Sequence, residues 1–308
     1  MPKPSQSEPR PDIYRTITDK IIAAIEANPG EPVLPWQRGG FQPVIPRNAA
    51  SGNDYRGVNI LSLWITALER GYESGVFATY KQWSALGAQV RKGETAAPIV
   101  FYREFEKVKD AATTKPGDND IETIRMARGY WVFAAEQVDG YALPSRIAPN
   151  PIDRIAAADA YFAATGARIV IGGPRACYRP STDTIHMPDE ARFFDTDGRT
   201  RTENFYSCLG HEATHWTSPG HRCARQLGQR FGGDQYAAEE VVAETGASFI
   251  AARLGIANEP HPDHARYLAH WLTVMKSDAR AMFAAAAKAQ EAVAYLDSLQ
   301  PGARRAAA

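Results

Sequence analysis

Apolar residues recur every fourth position at Ile13, Ile17, Ile21 and Ile25, with mostly polar or small residues between them, and Asn28-Pro29-Gly30 ends the run. That period predicts an amphipathic helix. Residues 59–71 carry the same signal and stop at a glycine, and 80–86 predict a shorter helix. Apolar stretches at 99–105 and 129–134 predict strands, and the polar segment 107–122 between them reads as a hairpin loop. Beyond a proline-rich stretch at 144–151, a helix is predicted at 153–165 and strands at 168–171, 176–179 and 184–187. Thr200-Arg201-Thr202-Glu203 is a capping-box pattern that opens a further helix, stopped before Pro219-Gly220. Residues 236–254 predict an amphipathic helix packed by one face, and 265–299 supply at least two more.

The fold class expected from this order is α+β in two domains. The boundaries fall at 12–143 and 153–299, with a linker at 144–152 and flexible tails at 1–11 and 300–308.

Composition narrows the possible functions. The chain has 308 residues, with 35 Lys or Arg against 35 Asp or Glu, so contact with nucleic acid or an anionic membrane must use a local patch. No apolar run is long enough to span a bilayer, and the stretch from Met1 to Arg10 lacks the apolar region of a signal peptide. A cytoplasmic protein without a membrane partner is expected. Cys177, Cys208 and Cys223 are odd in number and lack the close spacing of a cysteine metal cage, so they read as reduced thiols.

The chemistry concentrates in His211-Glu212-Ala213-Thr214-His215. On a helix, residues four apart share a face, so His211 and His215 can offer two imidazole nitrogens to one Zn²⁺ while Glu212 serves as general base towards a water. A catalytic zinc site needs a third protein ligand, and the next helix carries Glu239, Glu240 and Glu244. Glu240 fits best as ligand, with Glu244 one turn on accepting the free N–H of a ligand histidine; the exchange of those two roles stays open. His221 follows the motif closely enough to steady an oxyanion. A substrate peptide held extended beside the metal needs a strand edge, and residues 184–187 are the candidate.

In the first half, Arg47, Arg56, Lys81, Arg91 and Lys92 are available for phosphates, interleaved with Trp36, Tyr55, Trp83, Tyr102 and Tyr130 as stacking surfaces for bases. Trp64, inside an apolar helix, reads as core. Asn48, Ser51-Gly52, Tyr55 to Ile60, Trp64, Gly71-Tyr72 and Val90 to Glu94 together resemble the N-terminal domain of ArdC-type antirestriction proteins. His211 to Thr217 and Tyr236 to Glu244 resemble the same family, so the likeness runs from Ile13 to Gly255. The resemblance implies an N-terminal single-stranded DNA-binding domain, a zincin-like metallopeptidase domain with an unknown peptide substrate, and protection of incoming mobile-element DNA from host restriction. Two rivals remain at this level: a DNA-binding module with structural zinc, and a metallopeptidase without a DNA role.

Overall fold

The structure, a computed structural model, describes residues 12–27, 34–37, 44–108, 121–143, 151–173, 175–195, 200–225, 234–256 and 264–302. The expected tail at 1–11, residues 109–120 of the expected loop at 107–122, and most of the expected linker and C-terminal tail lie outside the described residues.

Helix α1 (Ile13–Glu26) starts at Asp12, whose carboxylate accepts the Tyr14 N–H at 3.0 Å, and it buries Ile13, Ile17, Ile21, Ile22 and Ile25. Strand β1 (Arg47–Asn48) leads into α2 (Val58–Arg70), which closes on Gly71 at φ 67°, a left-handed cap that favours glycine. Next come β2 (Val76–Ala78), α3 (Tyr80–Ala85), β3 (Gln89–Val90), β4 (Ala97–Val108), β5 (Ile121–Ala134) and β6 (Val138–Asp139). One sheet has the order β1-β2-β5-β4, and β3 pairs with β6 separately. The β4–β5 ladder continues without a break to Val108 opposite Ile121, well beyond the predicted strands. Its outer part is polar in sequence, so periodicity gives no strand signal there.

The second half opens with α4 (Pro151–Ala164), β7 (Arg168–Ile171), β8 (Cys177–Arg179) and β9 (Thr184–Met187). Strand β9 lies in the middle of its sheet, parallel to β7 and antiparallel to β8. The expectation that residues 184–187 form a free edge is therefore corrected: both sides of β9 are already paired, and the edges are β7 and β8. Helix α5 (Arg201–Trp216) begins with the predicted capping box, Thr200 accepting from the Glu203 N–H and the Glu203 side chain accepting from the Thr200 N–H. It is followed by α6 (Asp234–Leu254), α7 (His264–Ser277) and α8 (Ala281–Ser298). Every residue of α6 from Glu239 to Ala252 is buried, because the helix packs among α4, α5, α7 and α8; the expected single packed face is corrected to burial on all sides.

The two halves share one apolar core. Trp64 of α2 meets Phe249 of α6 edge to face at 5.7 Å between ring centres, and Tyr14 of α1 lies 4.7 Å from Phe283 of α8. The Thr18 hydroxyl donates to the Ala279 carbonyl at 2.6 Å, and the Gly57 N–H to the Gln290 side chain at 3.3 Å. Isoleucines of α1 and residues of α2, α5, α6 and α8 belong to a single cluster of buried side chains.

Candidate metal centre and aromatic cavity

Helices α5 and α6 approach so closely that a methyl group added at Gly246 would lie 2.6 Å from the Thr214 hydroxyl. This contact sets the depth at which the histidines of α5 face the glutamates of α6. His211 Nε2 lies 3.1 Å from His215 Nε2 and 3.3 Å from Glu240 Oε2, while His215 Nε2 lies 3.6 Å from Glu240 Oε1. Tetrahedral coordination with bonds of about 2.0–2.1 Å spaces its ligand atoms about 3.3 Å apart, so these three donors fit one such ion. Their charge fits as well. Glu239, Glu240 and Glu244 are all buried, and Arg225 pairs with Glu239 alone among the three, an excess of negative charge among the described residues that a dication matches.

Each imidazole also meets a carboxylate at its far nitrogen. Glu244 Oε1 is 3.4 Å from His211 Nδ1, and Glu239 Oε1 is 3.3 Å from His215 Nδ1. Arg225 fixes Glu239 through contacts of 3.0 and 3.2 Å, and its remaining donors reach the Thr214 carbonyl at 2.6 Å and the Thr217 hydroxyl at 2.7 Å. Burial opposes protonation of His215, but hydrogen bonds to Glu239 and Glu240 outweigh it and push its pKa up to about 9. His211 moves in the same direction as its bonds to Glu240 and Glu244 overcome burial, and those to both histidines hold Glu240 well below the usual carboxylate range.

Glu212 is buried beside this set, and burial raises its pKa. Its carboxylate accepts the backbone N–H of Tyr178, on the edge strand β8. Sequence reasoning missed this contact and also Arg225, which sits in an irregular loop with no pattern to mark it. Glu239 carried a signal only as one of three acids on the same predicted helix. His221 is exposed and near Asp183, and it is not among the converging donors His211, His215 and Glu240.

The basic and aromatic residues of the first half separate in space. Arg47, Tyr55 and Arg56 line a cavity of about 1120 Å³, together with Phe101 and Tyr130. The cross-strand pairs Ile99–Tyr130 and Phe101–Arg128 place those rings on one face of the ribbon. Phe101 is 55% exposed, its ring packs edge-on to Tyr130 at 6.3 Å, and Arg128 lies 5.4 Å over the Tyr130 ring. Tyr102 faces the opposite side of the ribbon. Arg91 and Lys92 line a separate depression, where Arg91 is bonded to Glu94 and to the Glu136 and Val138 carbonyls. Lys81 is exposed on α3 and belongs to neither group. Trp83 and Trp36 are corrected from stacking surfaces to core: both are 0% exposed, and the Trp83 indole donates to the Phe133 carbonyl at 3.0 Å. Trp64 is core, as expected.

Residues 11–133 match the family model described as the N-terminal domain of anti-restriction factor ArdC, and residues 156–288 match a zincin-like metallopeptidase model. The protein y4eC of Sinorhizobium fredii is 44% identical over 297 residues, covering 96% of this chain and 94% of that protein. The metal-free crystal structure of the antirestriction ArdC protein from the R388 plasmid is 38% identical, with a TM-score of 0.74 over 94% of this chain and 97% of that one. This chain belongs to the ArdC-type antirestriction family. The Mn(II)-bound structure of the same ArdC protein aligns with a TM-score of 0.71 at 37% identity, over 94% of this chain and 98% of that one. A DNA primase TraC of Escherichia coli is 33% identical over 297 residues, which are 92% of this chain but 27% of the primase. Among the described residues of this ArdC-type chain, no helix is long and apolar enough to cross a membrane.

Proposed function

We propose that this protein is a cytoplasmic antirestriction factor that holds single-stranded DNA in the aromatic cavity and hydrolyses a peptide bond at a zinc centre formed by His211, His215 and Glu240. The observation that carries the peptidase reading is the convergence of these three donors beside the buried carboxyl of Glu212. Zn²⁺ in that donor set supplies Lewis acidity towards a scissile carbonyl and a water. Glu239 and Glu244 hold the two imidazoles so that their Nε2 atoms face inward. Glu212 is the general base: its buried carboxyl, next in sequence to His211, takes a proton from water and returns it to the leaving amine. Strand β8 is the edge that receives the substrate backbone, since β9 is paired on both sides.

The DNA reading rests on the exposed Phe101–Tyr130 wall beside Arg47 and Arg56, which suits sequence-tolerant stacking with backbone neutralisation. Single strands coated in this way are withheld from restriction enzymes.

Glu212→Gln keeps shape and metal ligands while removing the proton acceptor. Peptide hydrolysis should fall by about 10²–10⁴-fold, with zinc content and oligonucleotide affinity unchanged. A Glu212→Gln protein that cleaves at the wild-type rate would refute the assignment.

A further inference from the structure

The cavity that contains Arg47 and Arg56 is not confined to the N-terminal half. Its opposite wall comes from α6 and α8, through Phe249, Arg253, Gln290 and Asp297. We infer that the zincin-like half supplies part of the DNA-binding surface, with Arg253 making a direct contact to a phosphodiester. The inference rests on reading the cavity as a single-strand site.

Three observations carry it. Arg253 lies on the last turn of α6 with its side chain 46% exposed, and Asp297 engages it at Nε with a contact of 3.1 Å. Asp297 is itself steadied by the Tyr161 hydroxyl at 3.2 Å, so the guanidinium is held at the cavity wall. A guanidinium has five donors, and one contact at Nε orients the group without exhausting it. Finally, the Gln290 side chain accepts the Gly57 N–H, so α8 braces the turn that presents Arg56 on the other side. Cations from both halves thus line the same cavity as the exposed ring of Phe101, a combination that suits a stacked base and its neighbouring phosphates.

The charge balance sets the expected behaviour. Arg47 lies 3.8 Å from Asp54 and Arg253 3.1 Å from Asp297, so much of the local positive charge is already offset. Affinity should then depend more on stacking than on phosphate neutralisation. The slope of log affinity against log salt should be shallow, about −1.4 to −2.1 for two or three phosphate contacts at about −0.7 each.

The test titrates the full-length wild-type, Arg253→Gln, Arg253→Lys, Arg56→Gln and Phe101→Ala proteins with a fluorescent oligodeoxythymidylate at several salt concentrations. Arg253→Gln should weaken binding by about tenfold and flatten the salt slope by about 0.7. Arg253→Lys should restore the slope, which a purely structural role would not require. If Arg56→Gln and Phe101→Ala weaken binding while Arg253→Gln leaves affinity and slope unchanged, the two-sided groove is overturned and the single-strand reading stands. If the wild-type protein binds no oligodeoxythymidylate, or binds oligouridylate or duplex more tightly, the single-strand DNA reading fails and this inference fails with it.

Discussion

Glu239 is held between a histidine and an arginine in the protein interior, which makes it the residue whose loss has the most distinct consequences. It fixes the far nitrogen of His215 and neutralises Arg225. Glu239→Gln keeps the volume but removes the charge. Losing such an outer carboxylate typically lowers metal affinity by about 10–100-fold. Arg225 is then left buried without a counter-charge, which costs about 3–5 kcal/mol. The double variant Glu239→Gln/Arg225→Met buries no unpaired charge and should recover part of that stability while metal affinity stays low. Melting temperatures of the metal-free proteins, together with zinc titrations, separate the two effects. A double variant less stable than Glu239→Gln would show that Arg225 is not held chiefly by charge.

Between elements, the α5–α6 crossing determines the geometry of the metal centre. Gly246→Ala would drive a methyl group into Thr214, which is fully buried. Overpacking of this kind costs about 1–3 kcal/mol, and relief requires the helices to move apart, which lengthens the distance from His211 to Glu240. Gly210 is the control on the same interface. An added methyl there lies 3.6 Å from the Ala247 backbone, ordinary contact, so Gly210→Ala should be neutral or stabilising by the helical preference for alanine. Reduced zinc affinity in Gly246→Ala but not in Gly210→Ala is the expected result, and equal affinities would remove the crossing from the account.

The same element scale explains what sequence alone revealed. The His211–His215 pair is legible because a spacing of four puts both on one helical face, with Glu212 beside them in sequence, and the next helix offers Glu240 and Glu244. Strand order is not local information, so the central position of β9 and the placement of β8 beside Glu212 could not be read from residues 168–187. Arg225 gains its role only when the loop after α5 folds back onto α6. Trp83 was ambiguous by nature, since an indole among polar neighbours reads equally well as a stacking surface or as core. The contribution of α6 and α8 to the aromatic cavity joins residues about two hundred positions apart, and no pattern within either segment signals it.

At the scale of the whole molecule, the shared core decides how the halves behave when separated. Residues 12–143 and 153–299 read as two domains, yet α1 and α2 bury their apolar faces partly against α6, α7 and α8. Cutting the chain at the linker would part Trp64 from Phe249 and Tyr14 from Phe283 and open the shared cluster of buried side chains to water. Each such side chain contributes about 1.5–3 kcal/mol when fully buried, so the summed loss is comparable to the total stability of an ordinary domain. The full chain should therefore unfold in one cooperative calorimetric transition, with equal calorimetric and van't Hoff enthalpies. Isolated residues 1–150 should bind hydrophobic dyes and aggregate, and any residual oligonucleotide affinity should be far below that of the intact protein. Two resolved transitions in the full chain, with the first half melting alone at the same temperature as in the intact protein, would show that the halves are independent and that the contacts through Trp64 and Phe249 contribute little.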